Sequence, residues 1–325
     1  MVPALLTAPS ALRMNLDELV TVVVSGQVAH PVAGAAPYRI GNDGVARVLP
    51  GTGGIVLSHR VGDPCVGLAA DHIEPGVAVH NNGREVTGPR NGPNNALLTY
   101  ACVGNRAEVT TGRARGGRGV VTGKHGGVNH VLIDFPPRVL RALEIGDRIR
   151  IVSRGLGLRL PDYPEILVSN ADPNLLRRWS IGVRDGVLSV PVTHAIPARI
   201  MGSGLGKNSV WRGDYDIQLF DSIVRRRYRL DQLRFGDLVA IVDADARYGP
   251  SFRTGRTTLG VVVHGDSTVS GHGPGVAVLV TGPANMFALR RESTANIAGI
   301  LGIRQVNPPI RRNPFRAREW TCSST

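Results

Sequence analysis

Residues 139–153 read VLRALEIGDRIRIVS, and residues 229–243 read RLDQLRFGDLVAIVD. Set 90 positions apart, the two stretches match at Leu140/Leu230, Leu143/Leu233, Gly146/Gly236, Asp147/Asp237, Ile149/Val239, Ile151/Ile241 and Val152/Val242. Each reads as a short amphipathic helix, a Gly-Asp turn and an alternating strand. A unit used twice predicts an internal pseudo-repeat. Upstream of each copy stands a Gly-Lys pair, Gly123-Lys124 and Gly206-Lys207, and these are the only two lysines among 38 Lys and Arg residues. Arginine stays protonated, whereas an ammonium can shed its proton when partly desolvated and then act as base or nucleophile. Two lysines at matched places point to chemistry, although a composition biased towards arginine gives such a pattern by chance.

Working outward, the remaining sequence is turn-rich. Glycine (41) and proline (22) recur along all 325 residues, and many short Val- and Ile-rich runs end at them. Strands are predicted near 20–24, 46–49, 55–57, 97–103, 107–111, 119–122, 130–135, 148–153, 187–200, 258–264 and 276–281. Residues 79–96 are polar and rich in Asn, Gly and Pro, as a long surface loop is. Short helices are expected near 137–144 and over 171–179, where Asp172-Pro173 supplies an N-cap followed by proline. The pattern from 284 to 303 is helical, and an Arg-rich tail follows. The expected fold is mainly β, a multi-domain barrel or sandwich architecture with a few short helices. The expected division is a disordered extension over 1–15, an N-terminal β domain over 16–155, a C-terminal β domain with the second repeat over 156–283, and a helical segment with the tail over 284–325.

Composition narrows the function classes. Hydrophobic content of 42% and a mean hydropathy of zero suit an ordinary soluble protein. The net charge is +13, but aromatics make up only 5% of the chain and no zinc-finger, helix-turn-helix or RNP signature appears. No nucleic-acid partner is expected. The arginines at 225–229 and in the tail read as a solvated face or a subunit contact of a homo-oligomer, with attraction of small anionic substrates a further role. Cys65, Cys102 and Cys322 form no C-x-x-C pair, which fits a reducing cytosol. No basic signal region and no apolar run of ~18 residues is present, so a cytoplasmic protein without a membrane anchor is expected.

The densest polar motif is HGDSTVSGHGPG at 264–275. His264 and Asp266, two apart at a strand end, face one side, and His272 returns through a glycine loop. Asp214 and Asp216 repeat the two-residue spacing in GDYDIQ at 213–218, as do His72 and Glu74 in DHIEPG at 71–76. His125 follows Lys124 directly. Mixed histidine and carboxylate donors suit Zn²⁺, Mn²⁺ or Fe²⁺, with Mg²⁺ a further candidate. The candidate metal ligands are Asp214, Asp216, His264, Asp266 and His272; for the Asp-x-Asp pair, turn capping is the plain alternative. The loop MGSGLG at 201–206 can form a nest of backbone N–H groups for an oxyanion, or simply a tight turn. It is no P-loop, since Asn208 follows Lys207, and no nucleotide cofactor is expected. Cys102 reads as a nucleophile or, at the end of an apolar run, as a small buried hydrophobe.

These motifs, together with ACVGN (101–105), GVVTGKHGG (119–127) and LRFGDLVAIVDAD (233–245), resemble the bacterial and archaeal family called domain of unknown function 4438. The resemblance covers about residues 15–282 and implies a β-rich, multi-domain protein without naming an activity. A looser similarity is to acetamidase/formamidase enzymes, metal-dependent amide hydrolases with a G-N-x-D motif followed by a G-D-x-H loop. Here Asp214 stands in place of the asparagine, and His264 precedes Asp266.

The leading expectation is a metal-assisted hydrolase acting on an amide, lactam or similar carbonyl of a small molecule. Lys124, His125, Lys207, Ser203 and Glu74 are its candidate catalytic residues, and His72, Gly204, Asn105 and Gln218 its candidate substrate-binding residues. The alternatives are a metal-independent lyase or cyclase of a biosynthetic pathway with a lysine base, and a non-enzymatic anion-binding or oligomeric scaffold.

Overall fold

The computed structural model describes residues 12–34, 36–81 and 92–306. The Arg-rich tail, Cys322 and most of the polar loop at 79–96 lie outside the described residues. The first half contains β1 (Val22–Val28), β2 (Arg39–Ile40), β3 (Ala46–Arg47), β4 (Ile55–Val56), β5 (Gly76–His80), β6 (Arg106–Val109), β7 (Arg118–His125), β8 (His130–Asp134) and β9 (Arg148–Ser153). Along β9, Ile149 and Ile151 are buried while Arg148 and Arg150 face solvent, because successive side chains of a strand point to opposite sides. Strand order β1-β9-β6-β7-β8-β5 closes on itself where Gln27 and Val28 of β1 pair with His80 and Val79 of β5. The result is a six-stranded barrel without open edges, with Val79, Val121, Ile133 and Ile151 in its interior.

The second half holds β10 (Leu167–Val168), β11 (Gly182–Arg184), β12 (Val187–Val192), β13 (His194–Pro197), β14 (Tyr215–Asp216), β15 (Leu238–Asp245), β16 (Ser251–Val262), β17 (Gly275–Pro283) and β18 (Phe287–Arg291). Its main sheet runs β10-β17-β16-β15-β13, and β14 adds to β17; β11, β12 and β18 form a smaller sheet. An apolar layer joins the halves, taking Ala78, Val103 and Leu132 from the first and Leu238, Val261 and Leu279 from the second. Gly123 makes this contact close: a Cβ there would sit 2.3 Å from Val263 Cγ1.

The repeat is structural. Gly146 and Gly236 both take positive φ, +89° and +81°. The Asp147 side chain accepts from Glu144 N at 2.9 Å, and that of Asp237 from Arg234 N at 3.0 Å. Gly146 N and Asp147 O bond Val28 of β1 just as Gly236 N and Asp237 O bond Val262 of β16. The Gly-Lys pairs differ: Lys124 lies in β7, whereas Lys207 lies in a loop.

Two expectations are corrected. The run at 97–103 is not a strand; residues Gly92–Tyr100 form helix α1, with Leu97 and Leu98 buried. A short apolar run fits a buried helix face as well as a strand. The stretch 284–303 is not one helix either. After a single turn it becomes β18, which pairs in parallel with β12, and only Ile297–Ile300 is α-helical. Tertiary pairing overrides the local pattern there. The helix expected at 171–179 forms over Pro173–Arg178, with the Asp172 side chain capping Asn174 N. Among the described residues, no helix is long and apolar enough to cross a membrane.

Candidate metal centre

Strand ends and glycine turns bring six donor side chains together. His125 ends β7, Asp214 and Asp216 flank Tyr215 at β14, and His264 follows β16. His272 sits in the loop before β17, and His72 in the loop before β5. The i, i+2 spacing places both aspartates on one face, while Tyr215 turns into the core. His72 is held at φ +55°, a left-handed conformation unusual for a bulky side chain and typical of residues fixed by a functional constraint. Two triads result, His72/Asp216/His272 and His125/Asp214/His264, and within each the ligand atoms lie within 4.8 Å of one another.

The hydrogen bonds set the orientation of every imidazole. His72 Nδ1 bonds Asp71 Oδ1 at 2.7 Å, and His125 Nδ1 bonds Glu74 Oε1 at 2.7 Å. His264 Nδ1 bonds the Gly265 carbonyl at 2.9 Å, and His272 Nδ1 the Ser270 carbonyl at 3.0 Å. An acceptor at Nδ1 places the proton there and leaves the Nε2 lone pair free, which is how metal-ligating histidines are held. Nε2 of His264 lies 2.8 Å from Asp214 Oδ2, yet neither buried atom has a hydrogen-bond partner of acceptable geometry. Two acceptors this close are stable only with a proton or cation between them. Asp214 presents Oδ2 because its Oδ1 accepts from Gly126 N at 2.8 Å. A Cβ on Gly275 would lie 2.1 Å from Asp214 Oδ2 and 2.2 Å from His264 Nε2, so the space between the ligands requires glycine.

Electrostatics follow from this packing. Burial favours neutral His264, but the negative charges of Asp214 and Asp216 outweigh it and raise the imidazole well above its ordinary value. His125 is lowered, by burial first and then by the neighbouring His264, whose ring stacks on it at 4.1 Å. Burial works against ionised Glu74, yet its bonds to His125 and His130 hold the carboxyl below its usual range.

The other expected site residues are placed as follows. Glu74 is sealed behind His125, and Lys207 is exposed at the rim, donating to the Asp214 carbonyl at 3.2 Å. Ser203 and Gly204 lie in the adjoining loop; Ser203 O accepts from Asp216 N, and a Cβ on Gly204 would meet Asp214 O at 2.6 Å. Gln218 bonds Met201 O. The Asp266 carboxylate binds Gly67 N, while its carbonyl accepts from His72 N, so it supports the His72 loop outside both triads. Asn105 bonds Cys102 N, Arg154 O and Asp172. Lys124 alternates away from His125 and is fully buried, donating to Asn170 Oδ1 at 2.7 Å and Trp211 O at 2.8 Å. Burial lowers its ammonium to about 8. Sequence reasoning missed Asp71, which bonds the ring of its neighbour His72, and His130, Gly126 and Gly275, whose roles depend on contacts across the fold. A surface groove lined by Asn15, Tyr100, Ser153 and Arg159 shares none of this chemistry.

Comparison with known proteins finds no match among curated proteins. The crystal structure of TM1086 is similar to this chain, with a TM-score of 0.83 and 41% identity over 89% of this chain and 99% of TM1086. Residues 38–177 match the N-terminal and residues 178–301 the C-terminal part of one family. With most of its length so matched, the chain belongs to the family described as domain of unknown function DUF4438.

Proposed function

We propose that this chain is a metal-dependent enzyme acting on a small molecule, with hydrolysis of an amide, lactam or similar carbonyl as its reaction. One observation carries the reading: four imidazoles, each with Nδ1 satisfied, cluster with two buried aspartates, and His72 and His264 turn Nε2 towards them. A divalent ion held there supplies polarisation of a carbonyl oxygen and acidification of a water. The protein's own contribution is positional. Asp71 and Glu74 fix two of the rings, Gly126 N fixes Asp214, and Gly275 keeps the centre open. Lys207 is the charged group best placed at the rim to orient a substrate. A lysine-base lyase has less support, because Lys124 is sealed from solvent and held by Asn170 and Trp211.

The test is elemental analysis of protein purified without chelator, combined with assays on amide, lactam and ester probes before and after chelation. Bound metal is expected, with turnover that chelation abolishes and added Zn²⁺ or Mn²⁺ restores, and with Asp214→Asn inactive. A protein that takes up neither ion would end this reading. Metal binding without turnover of any carbonyl probe would remove the hydrolase assignment and leave the metal site.

A further inference from the structure

We infer that the two triads act as one binuclear centre, with Asp216 as the bridging carboxylate between two divalent cations. The inference rests on the metal-dependent reading above and goes beyond it in stoichiometry and geometry. Asp216 divides its oxygens: Oδ1 lies 3.5 Å from His264 Nε2 of one triad, and Oδ2 lies 3.7 Å from His72 Nε2 of the other. A carboxylate facing two separate ligand sets in this way is the arrangement that bridges paired metals ~3.5–4 Å apart. The Oδ2 atom has one further contact, a long one of 3.4 Å from Gly273 N, which leaves it able to coordinate.

The triads also share a wall. The His72 ring lies 5.2 Å from that of His264 and 5.9 Å from that of His125, so the two donor sets form one cluster. Charge points the same way. Asp214 and Asp216 in the centre, with Asp71 and Glu74 directly behind it, are four buried carboxylates. Arg39 meets Asp71 at 3.1 Å from the solvent side, and Lys207 bonds a carbonyl at the rim. With Arg39 set against Asp71, three of these carboxylates have no arginine or lysine partner among the described residues, more negative charge than one divalent ion offsets. Mixed imidazole and carboxylate donors select Zn²⁺, Mn²⁺, Co²⁺ or Fe²⁺ as the class of ion.

Titration of the chelator-treated, full-length protein with Mn²⁺, followed by electron paramagnetic resonance, tests this directly. About two equivalents are expected per chain, with the spectrum of an exchange-coupled pair at saturation. His272→Ala, in a partly exposed loop, should lose one equivalent and give the spectrum of an isolated ion. Asp216→Asn should abolish the coupling. A single equivalent in the native protein would overturn the binuclear centre and leave the mononuclear reading intact, whereas none would remove both. Two equivalents without coupling would show that Asp216 does not bridge.

Discussion

A methyl group on residue 275 would occupy the gap between Asp214 Oδ2 and His264 Nε2, where the distances allow no side chain. Gly275 does not take positive φ, so alanine there tests space and leaves backbone conformation unstrained. Loss of an outer-shell partner weakens metal affinity ~10–100-fold, and a carbon in the ligand position should exceed that. Gly275→Ala is therefore expected to weaken metal binding more than ~100-fold, and to lower the thermal transition of the metal-free protein as well, since the buried Asp214 and His264 side chains must shift to admit the methyl group. Calorimetric titration beside a melting curve measures both. Unchanged affinity would mean that this gap is not where the metal sits.

Elements explain why part of the protein was legible beforehand. The repeated turn could be read from sequence because Gly146 and Gly236 meet the same local demand, a left-handed residue followed by an aspartate that caps the turn. Their surroundings differ. A Cβ on Gly146 meets nothing within 4 Å, whereas one on Gly236 meets Val61 at 2.4 Å and Ile297 at 2.8 Å. Gly146→Ala should cost ~1–2 kcal/mol from conformation alone. Gly236→Ala should cost roughly 3 kcal/mol or more, since overpacking adds to the strain. Urea unfolding of both variants decides whether the ordering holds. A second element-scale expectation concerns His194 at the start of β13, whose imidazole burial lowers from its ordinary pKa of 6.5 to about 4. Between those values the unfolded chain takes up the proton preferentially, so the stability from neutral His194 is full above 6.5 and is lost as pH falls towards 4. The stability difference between wild type and His194→Gln should shrink by about 3 kcal/mol over that window. A constant difference would contradict the assignment. What could not be read locally was the helix at Gly92–Tyr100 and the strand at Phe287–Arg291, because pairing and burial against distant partners decide both.

At the scale of the whole molecule, each triad is assembled across the boundary between the two family domains. His72 and His125 come from the part matched over 38–177, and Asp214, Asp216, His264 and His272 from the part matched over 178–301. Each triad thus takes one histidine from the first and an aspartate with a histidine from the second. Sequence showed that these polar residues stand beside glycines or at strand ends, but not which would meet, because the meeting depends on how the halves dock. That docking does not depend on the metal: the apolar layer containing Leu132, Leu238 and Val261 spans the same seam. The chelated protein should therefore stay folded, with a single transition at lower temperature. A ligand present at 100 times its Kd stabilises the native state by about 2.7 kcal/mol, which for a chain of this size shifts the midpoint by on the order of 5 °C. Scanning calorimetry of the native, chelated and Zn²⁺-restored protein should show that loss and its recovery, and Asp214→Asn should recover only part of it on adding Zn²⁺, because the His72/Asp216/His272 triad is left intact. If chelation leaves the midpoint unmoved in a protein shown to lose its metal, the ion does not tie the two halves together, and the seam is held by its apolar layer alone.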